Sequence, residues 1–96
     1  MNQRGRCIYC DSPMWAGDPQ PFMKRFDITR SDAEMFKCTA EHKIAKIDNG
    51  RDTRDNIAAA CHDCNHRRHA LDPKRAMSHL TYAIHVAWHV REGTWR

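Results

Sequence analysis

The middle of this sequence carries the stretch Cys61-His62-Asp63-Cys64-Asn65-His66-Arg67-Arg68-His69. It begins with a C-x-x-C pair, whose two-residue gap lets one tight turn aim both sulfurs at a single cation. A second pair with the same spacing, Cys7 and Cys10, lies near the N-terminus. The two pairs predict a tetrahedral four-cysteine zinc site that ties the N-terminus to the middle of the chain.

Disulfides and a redox C-x-x-C are the alternatives to zinc. The cysteine count of five is odd, and the N-terminus shows no export signal, so disulfides are disfavoured. No βαβ pattern surrounds either pair, which disfavours a redox motif. Zinc binding can contribute roughly 10–16 kcal/mol to folding, which suits a chain of 96 residues with a thin core. The fifth cysteine, Cys38, is expected to be a small buried hydrophobe.

The composition favours a folded protein with a polyanionic partner. Hydrophobic residues make up 41% and charged residues 29% of the chain, which is too apolar for disorder. Lys and Arg number 16 against 12 Asp and Glu, a formal net charge of +4. The longest clean apolar stretch is 57–61, far short of a membrane span. We therefore expect a cytoplasmic protein, in the host cytosol if a phage encodes it.

Residue patterns predict alternating short elements. Residues 22–29 and 35–42 read as strands, and the capping-box spacing of 31–34 indicates a helical turn between them. Residues 57–60 form an apolar strand that leads into the second cysteine pair. A helix of about two turns follows over 65–71.

A longer helix is expected from about 73 to 91. Asp72 is a good N-cap, Pro73 a good first helical residue and Gly93 a stop. An apolar stripe along this helix is predicted to dock on the rest of the domain or to form a dimer; it comprises Met77, Leu80, Ile84 and Trp88.

Five polar residues in a fixed order carry the chemical signal. Glu41 and His42 end one strand, Asn56 precedes the next, and Asn65 and His69 share one helical face because they are four apart. Each has an ordinary explanation when taken alone: a strand-end histidine bonded to backbone, an Asx turn or a helix N-cap. Together they place oxygen and nitrogen ligands beside a separate imidazole.

In this order and spacing the sequence resembles the HNH endonuclease family, whose catalytic unit is the ββα-metal (His-Me finger) fold. The resemblance covers about residues 36–71 and the N-terminal knuckle 7–10. It implies a single small α+β domain over 1–96, with a four-cysteine structural zinc (Cys7, Cys10, Cys61 and Cys64) and a C-terminal helix.

The resemblance also implies roles for individual residues. His42 matches the general base, and Asn56 the residue whose amide holds the loop and orients that base. Glu41, Asn65 and His69 match ligands of a catalytic divalent ion, which is Mg²⁺ or Mn²⁺, with Ni²⁺ or Zn²⁺ also compatible. The implied activity is metal-dependent hydrolysis of DNA phosphodiester bonds, by nicking or double-strand cleavage.

Four arginines are candidates for contacts with DNA phosphates: Arg51, Arg54, Arg67 and Arg68. The competing interpretations are a non-catalytic zinc-stapled module that binds nucleic acid and a protein-interaction adaptor of a phage or mobile element. No appended recognition domain is predicted. The protein would therefore act with low sequence specificity, or a homodimer or a partner protein would supply the targeting.

Overall fold

A computed structural model describes residues 3–43, 51, 56–70 and 77–96 of the protein. Within these ranges the elements are α1 (Gln20–Phe26), α2 (Arg30–Glu34), β1 (Cys38–His42), β2 (Ile57–Cys61), α3 (His62–Ala70) and α4 (His79–Glu92). Strands β1 and β2 pair antiparallel, and α3 follows β2 directly. This ββα order confirms the predicted small α+β fold.

The N-terminal segment covers both edges of the two-stranded sheet. Ile8 donates its backbone N–H to the carbonyl of Ala59 in β2 (3.1 Å), and the Gln3 side chain bonds both backbone groups of Ala59 (2.8 and 3.0 Å). At the other edge, Cys38 donates to the carbonyl of Trp15 (2.8 Å). The sheet edges therefore have backbone partners within the same chain.

The core lies where the two cysteine pairs meet α4. It is built around the four cysteines of the C-x-x-C pairs, with Tyr9, Tyr82, Val86 and Trp95. The hydroxyl of Tyr82 donates to the carbonyl of Cys64 at 2.6 Å, and the Trp95 ring meets the Tyr82 ring edge-on. The C-terminal helix is thereby fixed against the start of α3.

The strand predicted over 22–29 is wrong, because most of this segment is helix α1. Pro19 and Pro21 suit the first turn of a helix, where a missing N–H costs nothing. Phe22 and Phe26 lie four apart, and their ring centroids are 4.7 Å from each other on one helix face. Asp27 then ends the helix in the left-handed region, with φ of 51°.

The other predicted elements differ mainly in their ends. The helical turn near 31–34 is α2, capped by the Thr29 side chain (3.1 Å to the Asp32 N–H) and not by Ser31. The strand expected over 35–42 begins only at Cys38, whereas the helix expected at 65 begins at His62.

The C-terminal helix begins later than predicted. Ser78 caps α4, so helical structure starts at His79 and not near residue 73, while Gly93 ends it in the left-handed conformation, as expected. Residues 71–76, including the predicted cap at Asp72, lie outside the described residues. None of the helices in the described ranges is long and apolar enough to cross a bilayer.

The apolar stripe of this helix does not dock as predicted. Leu80, Ile84 and Trp88 are 73%, 71% and 50% exposed, and of the stripe Met77 packs against the core. The fully buried residues of α4 are Tyr82 and Val86. The helix therefore faces the core with a different side from the one that its aliphatic residues mark.

Candidate active site

The end of β1 and the first two turns of α3 form one polar surface. Asn65 donates its side-chain N–H groups to the Thr39 hydroxyl (3.0 Å) and to the carbonyl of Ala40 (3.4 Å). These bonds hold α3 across β1 and leave Oδ1 as the atom that Asn65 can offer to a cation. Thr39 and Glu41 are two apart in the strand, so they lie on the same face of the sheet.

Glu41 is the buried carboxylate of this surface. It is only 1% exposed, and its Oε1 lies 3.2 Å from Arg68 Nη1 and 3.2 Å from His69 Nε2. Its partner across the sheet is Ala58, whose small side chain leaves room for these groups. Glu41 Oε2 is buried and has no hydrogen-bond partner among the described residues.

These three side chains carry donor atoms of the kinds that a divalent cation binds. A buried carboxylate oxygen without a partner is costly unless something else satisfies it. Glu41 Oε2, together with the Asn65 carbonyl oxygen and the His69 imidazole, offers the oxygen and nitrogen donors that first-row divalent ions bind. The structure thus brings together the predicted ligands Glu41 and His69 directly, and joins Asn65 to the same strand.

His42 is half-buried at the last position of β1, opposite Ile57. Its backbone carbonyl accepts a hydrogen bond from Arg68 Nη1 at 3.1 Å. Because successive strand residues leave on opposite faces, His42 and Glu41 flank the strand end from two sides. The imidazole thus belongs to the same strand terminus as the carboxylate but does not share its buried face.

Asn56 is buried immediately before β2. Its side-chain amide donates to the carbonyl of Arg51 (2.9 Å), and its own carbonyl accepts from the Lys43 N–H (2.8 Å). Asn56 therefore fixes a point of the loop and the residue after His42 at once. This position suits the predicted loop-holding role of its amide.

The structure corrects the assignment of Arg68 to DNA. Its side chain is 3% exposed and is enclosed by protein acceptors, so it cannot reach a phosphate. Burial follows from its place on the inner side of α3, facing the end of β1.

The other three arginines predicted to contact DNA phosphates differ in their surroundings. Arg67 pairs with Asp63 (3.0 Å) and its guanidinium lies 4.5 Å from the centroid of the Trp95 ring, although 39% of its side chain is exposed. Arg51 is exposed, whereas Arg54 lies outside the described residues.

An open cleft of about 380 Å³ runs along α3 beside the candidate ligands; it is lined by His62, Asn65, His66, His69 and Ala70. The rings of His62 and His66 are stacked, with centroids 5.8 Å apart. Sequence reasoning missed these two histidines as site residues. The available signal was their helical spacing, because His62 lies three residues before Asn65 and His66 three residues before His69.

The four cysteines of the two C-x-x-C pairs form a second centre. Their sulfurs all lie within 4.8 Å of one another, and all four residues are buried. The backbone N–H groups of Tyr9 and Cys64 each point at a cysteine sulfur, at 3.4 Å. This arrangement can hold a metal ion and suggests a structural zinc.

The thiols of this cluster have pKa values that are shifted in opposite directions. Hydrogen bonds from Cys61 and Cys64 lower the pKa of Cys10, whereas hydrogen bonds to Cys10 and Cys61 raise the pKa of Cys64. Four buried thiols cannot all ionise at such distances without a compensating cation. Arg96 supplies part of this positive charge, because its Nη2 donates to Cys61 Sγ at 3.1 Å. A zinc ion would supply the rest.

Comparison with known proteins agrees with this architecture. Residues 26–71 match the model of the HNH endonuclease family. No curated protein and no solved structure gives a significant match. The matched segment contains α2, β1, β2, the whole of α3 and the candidate active site. Over residues 26–71 the chain is thus similar to the HNH endonuclease family.

Proposed function

We propose that this protein is a metal-dependent endonuclease that hydrolyses DNA phosphodiester bonds. The observation that carries the proposal is the buried, unpartnered Glu41 Oε2, set beside His69 and on the strand face that holds Asn65. The match of this segment to the HNH family supports the reaction type. DNA is the substrate on which nucleases of this family act.

His42 is the proposed general base. Its imidazole accepts a proton from a water molecule whose oxygen attacks the phosphorus, and the bond to the 3′ oxygen breaks in line. The leaving 3′ oxygen then takes up a proton from solvent water and becomes the 3′-hydroxyl. Histidine suits this role because a ring nitrogen that carries a lone pair can accept the proton. The resemblance to the family implies a 5′-phosphate and a 3′-hydroxyl as products.

Glu41, Asn65 and His69 would hold the divalent ion, which when bound stabilises the charge that builds on the phosphate and leaving oxygen. Because His42 and Glu41 flank the end of β1, the DNA strand that is cut has to pass over this end of β1 to contact both residues. Asn56 keeps the adjoining loop and Lys43 in place. The cleft along α3 would then bring His62 and His66 next to the adjoining nucleotides of the same DNA strand.

A cytoplasmic location is part of the same proposal. A cluster of four reduced cysteines is stable in the cytoplasm, and none of the five cysteines forms a disulfide. The role in a phage or mobile element, and targeting by a homodimer or a partner protein, stay predictions.

A nicking assay tests the proposal. Wild type is incubated with supercoiled plasmid and Mg²⁺ or Mn²⁺, and His42→Ala is compared at equal zinc content. We expect His42→Ala to cleave about 10²–10⁴-fold more slowly, the usual contribution of a general base. Its affinity for plasmid, measured by gel shift, should be unchanged. His89→Ala on α4 is the matched control and should cleave like wild type.

Two outcomes would contradict the proposal. If wild type binds DNA but does not cut it with either metal, the chain is the non-catalytic binding module. If His42→Ala cuts as fast as wild type, another group is the base. EDTA must stop cleavage while bound zinc, measured in the same sample, is retained.

A further inference from the structure

The buried guanidinium of Arg68 makes polar contacts with five other residues of the chain. Its Nε donates to the carbonyl of Met77 (2.9 Å) and its Nη2 to that of Lys43 (2.9 Å). Its Nη1 lies within 3.2 Å of the His42 carbonyl, the Tyr9 hydroxyl and Glu41 Oε1. All three nitrogens of the guanidinium therefore have partners, which come from the end of β1, from the N-terminal segment and from the residues before α4.

These contacts converge on the candidate active site. Two of them fix consecutive carbonyls at the end of β1, one of which belongs to His42. Another supplies the counter-charge for Glu41, which would otherwise be an uncompensated buried carboxylate. The contact with Tyr9 connects the same guanidinium to the N-terminal cysteine knuckle.

We propose that Arg68 is a positioning residue of the nuclease site, an inference that rests on the proposed function. It holds the carboxylate of Glu41 and the backbone of His42 in one fixed arrangement relative to α3. A planar guanidinium can serve several acceptors in different directions, whereas an ammonium group is a compact point charge. A lysine could therefore keep the charge beside Glu41 but not the positions of the two strand carbonyls.

The test measures binding of Mn²⁺ to the zinc-loaded full chain, by calorimetry, for wild type, Arg68→Met and Arg68→Lys. We expect Mn²⁺ affinity to fall about 10–100-fold in Arg68→Met, as is usual when a residue that orients a metal ligand is removed. Arg68→Lys should lie between Arg68→Met and wild type. In cleavage assays at saturating Mn²⁺, kcat should fall while KM for DNA stays near the wild-type value.

Trp15→Phe is the control for simple loss of stability. It removes a buried hydrogen bond from Trp15 Nε1 to the carbonyl of Ala33 (2.7 Å), away from the metal ligands. A folded Arg68→Met variant with wild-type Mn²⁺ affinity would overturn the inference and reduce Arg68 to a structural staple. If Arg68→Met loses its zinc, Arg68→Lys decides, and wild-type Mn²⁺ affinity there overturns the inference equally.

The titration also separates this inference from the proposed function. If wild type binds Mn²⁺ but fails to cut DNA, the proposed function fails. The dependence of Mn²⁺ affinity on Arg68 can still be measured in that case.

Discussion

Tyr9 connects Arg68 to helix α4 through one hydroxyl group. This oxygen lies 3.2 Å from Arg68 Nη1 and 3.1 Å from His79 Nδ1. Burial, and then the positive charges of Lys43 and Arg68, lower the pKa of His79. A neutral His79 can accept the Tyr9 proton, while the Tyr9 oxygen accepts from Arg68.

We expect His79 to make folding stability depend on pH. Its pKa is lowered in the folded protein, so as pH falls below about 6.5 the unfolded chain takes up this proton first. The contribution of His79 is therefore present above that pH and is lost as pH falls toward the folded-state pKa. The difference in Tm between wild type and His79→Gln should shrink from pH 7.5 to pH 5.5, with zinc content checked at each pH. A difference that is independent of pH would contradict this coupling.

Single residues also show what a sequence pattern can and cannot reveal about a site. The order of Glu41, Asn56 and His69 was readable, because strand ends and helix periodicity fix where such residues fall. The buried position of Arg68 could not be predicted, because the sequence alone does not distinguish the environment of Arg67 from that of Arg68. Only the packing of α3 decides that Arg67 turns toward Trp95 and Arg68 toward the end of β1.

At the level of elements, α4 shows why an aliphatic stripe misidentified the buried face. Tyr82 and Val86 face the core, whereas Leu80, Ile84 and Trp88 are exposed. Tyrosine satisfies its hydroxyl through the Cys64 carbonyl, so it can be as deeply buried as valine. A pattern that counts only aliphatic residues and tryptophan cannot recognise such a face. For α1, the segment 22–29 was predicted as a strand, but the prolines of the first turn and the i,i+4 contact between two phenylalanines favour a helix.

The buried face of α4 is tested by two truncations on the same helix. Val86→Ala should lower the free energy of unfolding by about 2 kcal/mol, because it removes most of a fully buried side chain. Ile84→Ala should change it by no more than about 0.5 kcal/mol, since Ile84 is 71% exposed. Urea unfolding of the zinc-loaded proteins measures both values. Equal losses in the two variants would mean that Ile84 is covered in solution.

On the scale of the whole molecule, the four-cysteine cluster connects segments that are far apart in sequence. It joins the N-terminal knuckle to the start of α3, and Arg96 at the other end of the chain donates to the same sulfurs. The remaining core residues around it are few, chiefly Tyr9, Tyr82, Val86 and Trp95. A metal ion bound at this point would therefore stabilise the packing of the N-terminal knuckle, β2, α3 and α4 against one another, including the helix that carries Asn65 and His69.

This dependence predicts opposite behaviour for two cysteines that face each other across the sheet. Cys38 pairs in register with Cys61 but is only half-buried and is not part of the sulfur cluster. Cys38→Ser should therefore retain one zinc per chain and unfold near the wild-type temperature. Cys61→Ser should lose zinc and with it much of the cooperative unfolding transition, because zinc binding contributes roughly 10–16 kcal/mol in comparable sites. Zinc content by atomic emission and thermal unfolding by circular dichroism measure both; a Cys61→Ser protein that is zinc-free and fully folded would show that the apolar core suffices alone.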